Sequence, residues 1–181
     1  LFRSFFRQML GDVDEPTAPF GLSEVRLSRD RATEARLLLD AALSLQVRAC
    51  AQRCGVSAAT LFHLAWALVL ARTTGRDDVV FGTVLFGRMQ GGEEAHRALG
   101  MFINTLPIRV RLGQRDVESC LRQTHATLTD LLHHEHAPLS LAQRCSGLPG
   151  ATPLFSAILN YRHSARREGD AHASTWLGMD A

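Results

Sequence analysis

No lysine occurs in the chain: all 20 basic residues are arginine. That bias reads as the codon usage of a GC-rich genome, expected here to be bacterial. Excess charge of one sign is also missing. The formal net charge is +2, with acids and bases interspersed, so electrostatics argues for neither a nucleic acid nor a membrane as partner. No uncharged apolar run reaches the roughly 20 residues that a transmembrane helix requires. The first ten residues, which include Arg3 and Arg7, are too short and too charged for a secretory signal. Cysteines are few. Cys50, Cys54, Cys120 and Cys145 sit in apolar-periodic segments, which suits buried thiols better than disulfides or metal ligands. A cytoplasmic protein is expected. Glycine-rich nucleotide loops of the Gly-x-Gly-x-x-Gly or Walker type are absent, as is the Gly-x-Ser-x-Gly nucleophile elbow. There is no internal repeat.

What the chain does contain is 181 residues, 46% of them hydrophobic, enough for one domain or a large part of one with a real core. Residues 2–10 have the pattern of the last turns of a helix, stopped by Gly11. Residues 11–33, with Pro16, Pro19 and Gly21, read as aperiodic, so 1–33 is expected to be a connector and 34–181 the body of the fold. Ala35–Leu39 is a short strand candidate. Asp40 caps a helix whose apolar positions are Leu43, Val47, Cys50, Ala51 and Cys54, ended by Gly55. Ser57 caps a second helix, apolar nearly all round and therefore expected to be buried, ended by Gly75.

Val79–Phe86 is apolar on both of its alternating faces, as in a central strand covered on both sides. Gly82 and Gly87 allow something to approach it closely. Residues 87–98 form a polar loop, 101–112 a further strand. Asp116 caps a third helix with Val117, Leu121, Thr124, Leu128 and Leu131 on one face, limited by Pro138. A short helix over 139–145 and a strand over Leu154–Tyr161 complete the set, with Trp176-Leu177-Gly178 hinting at one more element. Alternation of strands and helices predicts an α/β or α+β fold, a mixed sheet flanked by helices.

The segment Gly100-Met-Phe-Ile-Asn-Thr-Leu-Pro-Ile-Arg-Val110 carries the most information. It is β-prone and apolar, yet Asn104 and Thr105 interrupt it and Pro107 follows. A buried amide without partners costs about 1–3 kcal/mol, and proline removes a ladder donor, which confines it to edges, strand starts or bulges. The strand is expected to stop or deform where Asn104 points inward, forming the wall of a cleft. The alternative is that Asn104 caps a local turn through its own backbone.

His133, His134 and His136 form the evident histidine cluster, with His125 two turns earlier. The spacing does not match His-Glu-x-x-His, and no carboxylate follows that would orient a general base. A helix end, where imidazoles lie near the negative end of the dipole, accounts for the cluster. No metal site is expected. Gly87-Arg88, after an apolar strand, has the elements to hold an anionic or thioester group through backbone amides and a guanidinium, or to be an ordinary strand-ending turn.

The order of these pieces resembles the condensation domain of nonribosomal peptide synthetases. Gly82-Thr-Val-Leu-Phe-Gly-Arg88 is similar to the family's strand-and-turn motif ending in Gly-Arg. Leu99-Gly-Met-Phe-Ile-Asn-Thr-Leu-Pro-Ile-Arg-Val110 is similar to its Gly-x-Phe-x-Asn-Thr-x-x-x-Arg motif. His134 and Pro138 match the downstream His-x-x-x-Pro, although the usual Asp and Glu are here His136 and Ser140. Pro153-Leu154-Phe155 opens a segment that resembles the next motif.

The resemblance implies a chloramphenicol acetyltransferase-like lobe, one of two that enclose a tunnel. It also implies a reaction joining a donor acyl or peptidyl thioester on one carrier protein to an aminoacyl acceptor on another. The family's His-His-x-x-x-Asp-Gly motif belongs to the first lobe and is absent here, so no catalytic residue is expected in this chain. By resemblance Gly87, Arg88, Asn104, Thr105, Pro107 and Arg109 lie on or behind the tunnel wall. His134, Pro138, Pro153 and Phe155 mark structural motifs. The partners implied are the missing N-terminal lobe and flanking peptidyl carrier and adenylation domains. No cofactor is bound directly; phosphopantetheine is presented by the carriers. Two other readings remain open: a stand-alone acyltransferase using soluble thioesters, and a non-catalytic module that docks carrier proteins.

Overall fold

A computed structural model describes residues 2–23, 33–86, 103–150 and 152–162. The expectations for Gly87, Arg88, the loop over 88–98 and Trp176–Gly178 fall outside these residues. The described elements, in order, are α1 (Phe2–Leu10), a 3-10 turn (Pro19–Gly21), α2 (Ala41–Arg53), α3 (Ala58–Thr74), β1 (Asp78–Phe86), β2 (Ile103–Arg111), α4 (Val117–Leu132), α5 (Leu139–Gln143) and β3 (Ile158–Leu159). The three strands form one mixed sheet in the order β2-β1-β3, antiparallel on one side of β1 and parallel on the other.

The helix starts follow their caps. Asp40, Ser57 and Asp116 each accept a hydrogen bond from the backbone N–H three residues on, which satisfies a donor that the first turn leaves free. Gly75 closes α3 in the left-handed conformation that glycine adopts without steric cost. The third helix stops at Leu132 rather than at Pro138; Pro138 instead precedes the first turn of α5, where a missing N–H costs nothing. Val117, expected on the buried face of α4, is exposed.

β1 is the central strand that its two apolar faces predict. Val79, Val80, Phe81 and Leu85 are all buried. Its pairing with β2 is unbroken from Asp78↔Arg111 to Phe86↔Ile103. The stop or deformation expected where Asn104 points inward does not occur, and Pro107 does not break the ladder either. Pro107 sits opposite Gly82 on β2, which among the described residues is an edge strand, and there one side of the strand needs no ladder donor. Gly82 does admit a close neighbour: a Cβ there would come within 2.7 Å of the Phe155 ring. Glycine at this point is what seats Phe155 on β1.

Three further expectations are corrected. Ala35–Leu39 forms no strand; Leu37 and Leu38 are 88% and 86% exposed, because no described strand lies alongside to supply ladder bonds. Leu154–Tyr161 yields only the two-residue β3, plus an isolated bridge from Phe155 to Thr17. Third, α3 is not buried all round: His63, Leu64, Ala67 and Leu70 face the core while Leu68 and Val69 are open.

Residues 2–17, read as part of a connector, pack into the same core as the sheet. Phe6 and Leu10 are fully buried, and the Thr17 hydroxyl accepts from the Val80 N–H at 2.8 Å. An amphipathic single turn or two cannot stay helical alone; α1 is held by burying this face against α5 and the sheet.

Candidate functional site

Alternation along β1 and β2 sorts the candidate residues onto two faces. Val79, Phe81, Thr83 and Leu85 share one face with their partners Val110, Ile108, Leu106 and Asn104; the other face carries Asp78, Val80, Gly82 and Val84 opposite Arg111, Arg109, Pro107 and Thr105. α3 covers the first face, since His63 reaches Thr83. Asn104 and Arg109, expected on or behind the tunnel wall, lie on opposite faces and near opposite ends of β2.

Asn104 is half-buried and fully engaged. Its Nδ2 donates to the carbonyls of Glu135 at 2.7 Å and Ala137 at 2.8 Å, while its Oδ1 accepts from the Thr105 N–H at 2.9 Å. Both readings of this residue meet here: the amide points inward and also holds local backbone. Its chief effect is to clamp the turn between α4 and α5 onto the end of β2. Glu135, in that turn, is 2% exposed, and neither carboxylate oxygen has a hydrogen-bond partner.

Arg109 is a crosslink. Its Nε and Nη2 donate to the two carboxylate oxygens of Asp78 at 2.8 and 2.6 Å, its Nη1 donates to the Met9 carbonyl at 2.9 Å, and both terminal nitrogens reach Asp12. The side chain is 7% exposed. Hydrogen bonds to Asp78 hold the guanidinium above its usual range, and the hydrogen bond from Arg109 pushes Asp12 down to about 2. With every donor direction committed, Arg109 ties α1 to the sheet and has little left for a substrate. The folded-state pKa of Asp12 is depressed, so its contribution is present above the ordinary carboxylate range and is lost as pH falls towards 2. Asp12→Asn is thus expected to lower the melting temperature at neutral pH and to flatten its decline between about pH 4 and 2. A melting curve against pH, compared with the unaltered protein, checks this.

The histidines behave as a helix end requires. His133 and His134 donate through Nδ1 to the carbonyls of Thr129 and Asp130, four residues back. The His134 ring also stacks on Phe5 at 4.1 Å. Among the described residues no group of three or more His, Cys, Asp or Glu side chains is placed to hold a metal ion. All four cysteines are free. Pro153 and Phe155 lead into β3, where Phe155 covers Gly82.

One feature was not foreseen. A cavity of about 620 Å³ lies between α3, α4 and the last residues of β1, with Tyr161 and Arg162 at one side. Two histidines line it. His63, only 3% exposed, donates from Nδ1 to the Ala59 carbonyl at 2.7 Å, and its Nε2 lies 2.8 Å from the Thr83 hydroxyl. Burial pushes its pKa down, so the ring is neutral and Nε2 accepts the Thr83 proton. His125 meets Thr60 through Nδ1 at 3.1 Å. The available signal was a histidine at position 63 within a largely apolar helix.

Comparison with known proteins bears on what this arrangement belongs to. The family model described as "Condensation domain" matches residues 18–176. Malpinin synthetase of Mortierella alpina is 51% identical over 176 residues, 97% of this chain. Malpibaldin synthetase of the same organism is 54% identical over 161 residues, 89% of the chain. The chain spans only 2% and 3% of the length of those two proteins. Their fungal origin removes the support for the bacterial source inferred from the lysine-free composition. In fold, the chain superposes on the condensation domain from the monacolin K polyketide synthase with a TM-score of 0.62 at 20% identity, covering 87% of this chain and 40% of that one.

Proposed function

Because the chain belongs to the condensation domain family, we propose that it forms most of the C-terminal lobe of such a domain in a nonribosomal peptide synthetase. The domain would form the amide bond between an acyl or peptidyl thioester and an aminoacyl acceptor, both held on carrier proteins. Phosphopantetheine belongs to those carriers and is not a resident group of this lobe. Carrier and adenylation domains of the same synthetase are its partners, and the cytoplasm is its compartment. In the described residues no single helix is long and apolar enough to cross a membrane.

The observation that carries this reading is the family match over 18–176 together with the state of the histidines. No His-His-x-x-x-Asp-Gly motif is present, and His133 and His134 spend Nδ1 on helix carbonyls. The proton-handling groups are therefore proposed to come from a second lobe encoded upstream. Two exposed apolar sets support more protein packing here: Leu37 with Leu38, and Leu68 with Val69. So does the exposure of Phe86 and Ile103 at the paired ends of β1 and β2.

Functionally, this lobe's share is positioning. Holding a thioester and an amine in attack geometry and excluding water can supply a large part of a bimolecular rate enhancement, on the order of 7–11 kcal/mol at best. The test is reconstitution. The chain alone is expected to aggregate and to form no amide, whereas the region with its upstream lobe is expected to form amide from carrier-loaded substrates. Amide formation by the chain alone, or none by the two-lobe region, would overturn the reading.

A further inference from the structure

We propose that the cavity between α3, α4 and the end of β1 is a subsite for the hydrocarbon portion of the thioester-borne substrate. This deepens, and rests on, the functional reading above.

Size comes first. At about 620 Å³ the space, partly open to solvent, lies within the range of small-molecule sites. Its lining is mostly hydrocarbon: Val84, Leu85 and Phe86 from β1, and Leu128 and Leu132 from α4. The polar groups on the wall are largely spent. Both nitrogens of His63 are committed to Ala59 and Thr83. Thr83 gives its proton to that ring. His125, also on the lining, uses Nδ1 on Thr60, which leaves its Nε2 as a further hydrogen-bonding position. A phosphate or carboxylate would find no buried cation here, since the one arginine on the lining, Arg162, is exposed. An aliphatic or aromatic group fits, with one imidazole nitrogen near it to orient a polar end.

Location links the space to the reaction. The wall residues Thr83 to Phe86 are the last of β1, and the chain continues from them directly into Gly87-Arg88. A cavity at this strand end is placed to take up whatever extends from a substrate held along that wall.

The hydrocarbon can come from an acyl donor or from an amino-acid side chain, and the probes separate the two. Binding of four N-acetylcysteamine thioesters to the two-lobe region is measured by calorimetry: acetyl against hexanoyl, and alanyl against leucyl. Amide formation from the same compounds is measured separately. Burying three or four further carbons is expected to tighten binding by about tenfold or more within at least one pair. The pair that responds names the source. Ala59→Phe and Thr129→Trp, which add bulk at the cavity lining, are each expected to bring that ratio to within about twofold of unity. Equal binding within both pairs overturns the inference. So does a preference that survives in both variants. Chain-dependent binding without amide formation from any substrate would count against the functional reading and leave the subsite standing.

Discussion

Arg109→Met is expected to destabilise the domain by about 2–4 kcal/mol, measured by denaturant unfolding of the two-lobe region. Removing one partner of a buried ion pair typically costs about 3–5 kcal/mol, because the other charge is left without compensation. A value around and below the lower end of that range applies here, since Asp78 and Asp12 are 38% and 65% exposed and Arg111 still pairs with both. One further loss adds to it: the Met9 carbonyl loses its donor, so that α1 keeps only the link from Arg111 of β2 to Asp12. Arg109→Lys should recover little. An ammonium cannot pair with both oxygens of Asp78 while also reaching Met9 and Asp12. The effect should fall on stability, with turnover per folded molecule close to normal, because none of these contacts faces the cavity. Loss of turnover without loss of stability would show that Arg109 touches substrate after all.

Asn104→Ala is expected to lower both stability and amide formation. The substitution leaves the carbonyls of Glu135 and Ala137 without their donor and the Thr105 N–H without its acceptor, at about 1–3 kcal/mol. Its larger consequence is geometric. The clamped turn includes Glu135, whose buried carboxyl oxygens have no hydrogen-bond partner; the His136 imidazole lies 3.7 Å from Oε1. Once the turn is freed, nothing holds that side chain inside, and water would supply the hydrogen bonds its two oxygens lack. The turn joins α4 to α5, and α4 forms one wall of the cavity through Leu128 and Leu132. A movement of about 1 Å there is enough to cost on the order of a hundredfold in rate. Asn104→Asp keeps the acceptor and loses the Nδ2 donors, so it should resemble Ala in turnover. If melting temperature and turnover are both unchanged in Asn104→Ala, the residue is only a local turn former.

Much of the local architecture was legible because it depends on short-range chemistry. Asp40, Ser57 and Asp116 start helices since each side-chain oxygen needs only an N–H three residues away. β1 declared itself central through two apolar faces. The four motifs pointed to the condensation domain family because their order, more than any one of them, is specific.

Features that depend on distant partners could not be read along the chain. Ala35–Leu39 has the composition of a strand, but a strand exists only where another supplies its hydrogen bonds, and among the described residues none does. Which of edge, strand start or bulge Pro107 occupies was open along the chain, because it depends on β2 lying at an edge, a property of the sheet. Arg109 stands out as a motif position, but that Asp12 and Met9, about a hundred positions earlier, claim its donors shows only in the fold. His63 drew no reading from the sequence; its role shows only beside Thr83 and the open space it lines. Caps and alternation act over a few residues, so their outcome is written in the order of the amino acids. Whether a charge is matched, an edge exposed or a cavity left open depends on which remote segments packing brings together, and only the assembled fold settles that.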